Sequence, residues 1–400
     1  MGFVPNFRRP ALCLAVAGLL RVPVVGAQTP PDAAAPTPPT SQKWPTSTLA
    51  AQRRNGAGLD SLSAGIRARR FGNVNRLVVV SRRQLVVSER YEQDYRMEFE
   101  RYRFRDGYDT TSHQYNYQHP DWHPFHQGRD VHSLQSVTKS IGATMIGIAI
   151  GRGEIAGTDV PFLDFLGEYD VTRVDPRLRT ATLGDLLTMR SGIEWHEQDR
   201  PLDSTNTTIQ LEASRDWVQF TLNQPMEAAP GVKWVYNSGG SHLMSAIIRR
   251  ATGLTIDMYA ERYLFGPLGI TDYHWKLTPT GLPDTEGGLY LEAEDLAKIG
   301  ELYLRDGIWN GSRVLPEGWP VRATATRVER VNAANYGYGF QWWRIDRGDT
   351  AIWAGLGYGG QYLVVIPDRE LVAVVNSWNV YGGRAGNVLS ALVDALLAIR

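Results

Sequence analysis

Ser136-Val137-Thr138-Lys139-Ser140-Ile141-Gly142-Ala143-Thr144-Met145-Ile146-Gly147-Ile148-Ala149-Ile150 is the stretch on which the fold turns. The run is apolar along its length and closes on Gly151-Arg152-Gly153. That pattern predicts a buried helix with a glycine stop. Ser136 and Lys139 lie three positions apart and share one face. Lys139 can therefore reach the Ser136 oxygen. The helix N-terminus adds backbone N–H groups and a positive dipole end, which favour a neutral amine and a developing oxyanion. A free lysine is protonated near pH 7. Burial and positive potential are expected to lower the pKa of Lys139 enough for it to accept the serine proton. Ser-x-x-Lys alone is weak, because an N-cap serine with a surface lysine gives the same letters. A lysine at the head of a buried helix needs a reason.

Outward along the chain, Tyr236-Asn237-Ser238 follows Pro230-Gly231 and precedes Gly239-Gly240. A tyrosine near a lysine can shuttle a proton. Asn237 could hold Lys139 by a hydrogen bond and face a substrate carbonyl. An ordinary aromatic turn before a helix would read the same. Further on comes Trp353-Ala354-Gly355-Leu356-Gly357-Tyr358-Gly359-Gly360-Gln361. Glycines in a strand mark a bulge, a tight turn or close approach to the backbone. Substrate could lie along such an edge. A backbone N–H near Gly355, with that of Ser136, would then form an oxyanion hole.

Taken together and in this order, the three stretches resemble the serine β-lactamase-like superfamily. They are most similar to class C β-lactamases, related carboxylesterases and 6-aminohexanoate-dimer hydrolases. The resemblance covers roughly residues 55–400. Leu186-Leu187-Thr188-Met189-Arg190-Ser191-Gly192, Phe265-Gly266-Pro267-Leu268-Gly269-Ile270 and Tyr362 to Pro367 add to it. It implies an α+β fold, with an antiparallel sheet flanked by helices, an inserted helical domain and the site between them. It also implies acylation of Ser136, with Lys139 and Tyr236 moving protons and water releasing the acid. Penicillin-recognising members carry Lys-Thr-Gly or His-x-Gly on the third strand. Here the matching stretch is Ile352-Trp353-Ala354-Gly355, without a cation. A cation there would pair with the carboxylate of a β-lactam or D-alanyl peptide. Its absence shifts the expected substrate toward a small neutral ester or amide. Trp353, Ala354, Gly355 and Asn237 are the candidate substrate and oxyanion residues. The alternatives are a β-lactamase or D-alanyl peptidase, and a penicillin-binding sensor that acylates without turnover.

The rest of the sequence bounds this reading. Leu59 to Arg70 reads as a helix. Arg76 to Val80 and Leu85 to Val87, around a short polar break, read as a hairpin. Strand-like runs recur at Tyr338 to Trp343, Ala351 to Trp353, Gln361 to Ile366 and Leu371 to Ser377, before a last helix from about Arg384 to Ile399. One sheet built from both ends, about 51–150 and 331–400, with a mainly helical insertion at about 155–330, follows. Trp342 and Trp343 are expected in the core, with one of them able to reach the cleft. Trp195, His196 and Glu197 could line the cleft opposite Ser136.

Arg8 and Arg9, the apolar run Ala11 to Leu20 and Val25-Gly26-Ala27 read as a signal peptide over 1–27, with 28–50 a flexible leader. The run is too short to span a bilayer. An exported, periplasmic or secreted protein with no stable membrane span is expected. Cys13, the single cysteine, lies in that segment. The mature chain would then hold no disulfide, thiolate zinc site or cysteine nucleophile. With 42 basic and 42 acidic residues, nothing attracts nucleic acid. Gly-x-Ser-x-Gly is absent, which counts against a Ser-His-Asp hydrolase. His113, His119, His123 and His126 lie in a polar, aromatic loop whose spacing matches no familiar zinc motif. No metal or organic cofactor is expected.

Overall fold

The computed structural model describes residues 42–92, 117, 123–332, 334–380 and 387–400. The signal peptide, most of the leader, His113 and His119 lie outside them.

Helix α1 (Ala57–Arg67) leads into strands β1 (Val74–Ser81) and β2 (Gln84–Arg90). Short strand β3 (His132–Ser133) precedes helix α2 (Val137–Gly151), and helix α3 (Ser238–Thr252) opens after the Tyr236 turn. Strands β4 (Tyr273–Trp275) and β5 (Leu289–Leu291) lead to helix α4 (Ala293–Leu304). A small hairpin joins β6 (Ile308–Trp309) to β7 (Ser312–Arg313). Then come β8 (Gly337–Tyr338), β9 (Trp343–Arg347), β10 (Thr350–Gly357), β11 (Gln361–Ile366), β12 (Leu371–Ser377) and helix α5 (Val388–Leu397).

Seven strands form one sheet in the order β2-β1-β12-β11-β10-β9-β8, every neighbouring pair antiparallel. The first and last thirds of the chain meet where β1 pairs with β12, Val78 opposite Val374. Alternation along each strand sends side chains to two different cores. Leu77, Val79, Val364, Ala373 and Val375 pack with Leu62 and Ile66 of α1 and Leu392 and Leu396 of α5. Val78, Val80, Leu363, Val365, Val372 and Val374 pack with Val137 and Ile141 of α2 and Leu296 and Ile299 of α4. A sheet covered on both faces explains the near-continuous apolar strands. Helix α2 is buried from Val137 through Ala149, as a helix apolar all round should be. Close approach is built into it, because a Cβ on Gly147 would stand 2.2 Å from the Trp319 indole.

Two expectations are corrected. The leader stops short of residue 50: Trp44 is buried, meets Trp309 edge-on at 5.4 Å and donates to the Glu294 carbonyl. Tyr338 to Trp343 is not one strand. Gln341 has φ 59°, Phe340 N–H donates to the Ala323 carbonyl and Gln341 N–H to the Leu187 carbonyl, so the chain leaves the sheet to bond helical segments. The insertion is mainly helical, as expected. It holds α3, several short helices, the β6-β7 hairpin and strands β4 and β5, which pair with β3 from before α2 in the order β3-β5-β4. Among the described residues, no helix is long and apolar enough to cross a membrane.

Candidate active site

Gln135 and Ser136 form the turn into α2. Gln135 has φ 48°, a left-handed conformation costly for a residue with a side chain. It bends the chain sharply, so that Ser136 heads the helix half-exposed while Lys139 below it is buried. Two bonds lock this turn to β5: Leu134 N–H donates to the Leu289 carbonyl, and Leu289 N–H to the Thr138 hydroxyl at 3.2 Å.

The Lys139 Nζ donates to Ser136 Oγ at 3.0 Å, to the Glu286 carbonyl at 2.6 Å and toward Glu286 Oε2 at 3.4 Å. Tyr236 is buried beside Lys139, its ring 5.3 Å from Nζ. Trp343 stacks on that ring at 5.9 Å, so the second tryptophan of the pair reaches the site while Trp342 stays in the core. The Tyr236 turn is fixed by Met189, whose carbonyl accepts from Val235 N–H and whose Sδ accepts from Asn237 N–H. The structure thus brings Ser136, Lys139 and Tyr236 together.

Asn237 serves differently from the expectation. Its Oδ1 accepts from Gly240 N–H at 2.6 Å and caps α3, and Lys139 is held by Glu286 rather than by Asn237. Glu197 comes in from the opposite side. Its carboxylate accepts from Ser238 N–H, the Ser238 hydroxyl and the Trp195 indole N–H. His196 instead pairs with Glu194 and Asp199 away from the site.

Strand β10 passes the head of α2. A Cβ on Gly355 would lie 2.9 Å from Val137, and one on Gly357 would lie 2.4 Å from the Leu134 carbonyl. Glycine therefore permits the approach to the Ser136 turn. Only Thr350 to Ala354 pair with β9, so Gly355, Leu356 and Gly357 pair with β11 alone. Trp353 packs on the α2 side of the sheet, whereas Ala354 packs into the other core.

Burial works to lower the Lys139 pKa, as expected from sequence, but the Tyr236 phenolate once formed, with Glu286, Glu197 and Asp284, outweighs it and raises it. The expected neutral amine is therefore replaced by an ammonium. Burial raises the Tyr236 phenol, and the opposing pull of Lys139 does not restore it. At rest both groups hold their protons.

Sequence reasoning missed the carboxylates behind Lys139. Glu286, Asp284 and Glu212 are buried, with Lys276 and Tyr117 among them. The available signal was Asp284-Thr285-Glu286-Gly287-Gly288, two acids set directly before the apolar strand β5. His123 and His132 lie among Tyr290 and Trp378, and the described residues hold no cluster of metal-ligating side chains.

The Beta-lactamase family model matches residues 76–397. The 6-aminohexanoate-dimer hydrolase of Paenarthrobacter ureafaciens is 26% identical over 273 residues, 62% of this chain and 67% of that protein. A solved Bacillus anthracis protein, provisionally named a 6-aminohexanoate-dimer hydrolase, superposes with a TM-score of 0.64 at 19% identity, covering 90% of this chain and 88% of that one. A D-stereospecific amidohydrolase from Streptomyces sp. superposes with a TM-score of 0.60 at 17% identity, over 84% and 97%.

Proposed function

The chain belongs to the β-lactamase family, and from that premise we propose that it is a serine hydrolase of small neutral esters or amides. The observation that carries the reading is the Ser136 oxygen held by Lys139 at the head of a buried helix, with the buried Tyr236 ring 5.3 Å from the same ammonium. Lys139, as an ammonium, donates to Ser136 and has no lone pair to offer. Tyr236 is then the group that takes the serine proton, ionised and stabilised by the adjacent ammonium. Ser136 Oγ attacks the carbonyl carbon, and the N–H of Ser136 with one from β10 near Gly355 holds the oxyanion. Tyr236 returns the proton to the leaving oxygen or nitrogen. Water repeats the sequence on the acyl-enzyme through the same pair.

The substrate class follows from charge. The Ile352-Trp353-Ala354-Gly355 segment offers no cation. Lys139 is engaged by Glu286, and Glu197 lies opposite. A carboxylate-bearing ligand would find no partner on that strand and meet two acids nearby, so neutral substrates fit better. The 6-aminohexanoate-dimer hydrolase relative supports keeping amides beside esters.

The test is hydrolysis of p-nitrophenyl acetate and butyrate beside a chromogenic cephalosporin. Ester turnover well above cephalosporin turnover is expected. Rapid cephalosporin turnover would instead make the protein a β-lactamase, and a stable mass increase without turnover would make it a sensor. Export rests on the segment from Arg8 to Ala27, and N-terminal sequencing of the secreted protein is expected to begin at Gln28.

A further inference from the structure

We propose that Glu286, sharing a proton with Glu212, is a positioning residue that keeps Lys139 an ammonium aimed at Ser136 and so sets the pH at which the nucleophile is activated. The inference rests on the serine-hydrolase reading above.

Lys139 has three N–H bonds to place. Glu286 takes two of its three contacts, one through its carbonyl and one through its carboxylate. The remaining contact is Ser136 Oγ. The Glu286 loop is itself shaped for this. Asp284 Oδ1 accepts from Glu286 N–H at 2.8 Å and Gly287 N–H at 3.2 Å, and the Thr285 hydroxyl donates to the Ser241 carbonyl of α3. Glu286 therefore fixes Lys139 in direction as well as in charge.

Proton counting behind Lys139 supports the sharing. Glu212 and Glu286 crowd onto the same Tyr117 hydroxyl in a buried setting, where two neighbouring carboxylates favour keeping one proton between them. The Tyr117 hydroxyl lies 3.1 Å from Glu212 Oε1, 2.7 Å from Asp284 Oδ2 and 2.5 Å from Glu286 Oε1. One hydroxyl donates one proton, so three acids around it cannot all be ionised. With the proton on Glu212, Lys139 and Lys276 balance Asp284 and Glu286, and the buried group is neutral. Burial raises Glu212 well above the usual carboxylate range, while Lys139 holds Glu286 below it, the same division of charge.

Among the described residues, charged and titratable groups face Lys139 from several elements. Ser136 lies on its own element, Tyr236 precedes α3, Asp284 and Glu286 precede β5, and Glu197 follows the Ser191-Gly192 turn. His242 of α3 faces Glu286 and Lys276 and is neutral.

The test is the pH dependence of kcat/KM for p-nitrophenyl butyrate, with fluorophosphonate labelling of Ser136 followed in parallel, in the wild type, E286Q, E286D and E212L. E286Q is expected to move the rising limb, which belongs to Tyr236, lower by about one pH unit, because a like charge that opposes the phenolate is lost. E286D is expected to restore it. E212L removes a neutral group and leaves Asp284 and Glu286 to balance Lys139 and Lys276, so its limb should stay with the wild type's, and a limb shifted as far as that of E286Q would contradict the placing of the proton on Glu212. An E286Q profile lowered evenly at all pH values, with its limb unmoved, would overturn the inference. Should E286Q fail to fold, E286A, which removes the same charge, decides on the same terms. Absence of labelling in the wild type would sink the serine-hydrolase reading itself, whereas a labelled wild type with an immobile E286Q limb sinks only the role of the acids.

Discussion

Ser136, Lys139 and Tyr236 divide the work of one proton transfer, and their substitutions should separate accordingly. Lys139→Met removes both the ammonium and the bond to Ser136. A fall in kcat of about 10²- to 10⁴-fold is expected, the range for losing a positioned acid–base group. Tyr236→Phe keeps the ring stacked on Trp343 but removes the hydroxyl, and should cost a similar factor with little change in KM. Ester assays on both variants check this. The pH dependence has a definite sign. Both pKa values are raised, so the form with a free base is scarce at neutral pH and grows as pH rises. kcat/KM should increase from neutral to alkaline pH, and a profile falling over that range would contradict the assignment. At this scale the sequence was informative where chemistry is compressed into a few letters. Ser136 and Lys139 are one helical turn apart, and Tyr236 sits in a turn with its own signature. Glu286 and Glu212 were not legible, because a carboxylate's role here depends on which distant acid shares its proton.

Strands and helices were legible in proportion to how local their causes are. Gln361–Ile366 and Leu371–Ser377 were read to the residue, since β-branched runs bounded by Gly360 and Pro367 leave little choice. The break inside Tyr338 to Trp343 was invisible, because its causes are the Ala323 and Leu187 carbonyls from elsewhere in the chain. The glycines of α2 and β10 carry packing rather than flexibility. Gly147→Val would drive side-chain carbons into Trp319 and should destabilise by about 1–3 kcal/mol, the range for overpacking, measurable by urea unfolding. Gly357→Ala presses a methyl onto the Leu134 carbonyl, a backbone atom beside Ser136 that cannot simply rotate away. It should lower kcat more than stability, and an unchanged kcat would mean that β10 does not hold the Ser136 turn.

The whole molecule buries titratable groups at the junction of the sheet and the insertion, which links its stability to pH. Among the described residues His242 finds no hydrogen-bond partner for either ring nitrogen; it meets Trp217 edge-on at 5.3 Å, and burial depresses its pKa from 6.5 to about 3. A lowered pKa gives stability that is present above the unfolded value and lost as pH falls toward the folded one. Stability should therefore fall between pH 6.5 and 3 in part through His242. His242→Phe keeps an aromatic ring and cannot charge, so its melting temperature should gain on the wild type as pH drops through that window. A constant difference would contradict the assignment. At this scale the antiparallel sheet shared by both ends of the chain could be anticipated, since apolar strand runs sit at both ends. The three-stranded sheet β3-β5-β4 could not, because strands of two and three residues leave too short a pattern.

The central claim is that Ser136 is acylated. The direct measurement is intact-protein mass spectrometry of the wild type and Ser136→Ala after brief exposure to p-nitrophenyl butyrate, with p-nitrophenol release followed alongside. The account predicts a transient mass increase of one acyl group on the wild type, located at Ser136, and neither adduct nor turnover in the variant. Equal turnover in both proteins, or an adduct at another residue, would contradict it.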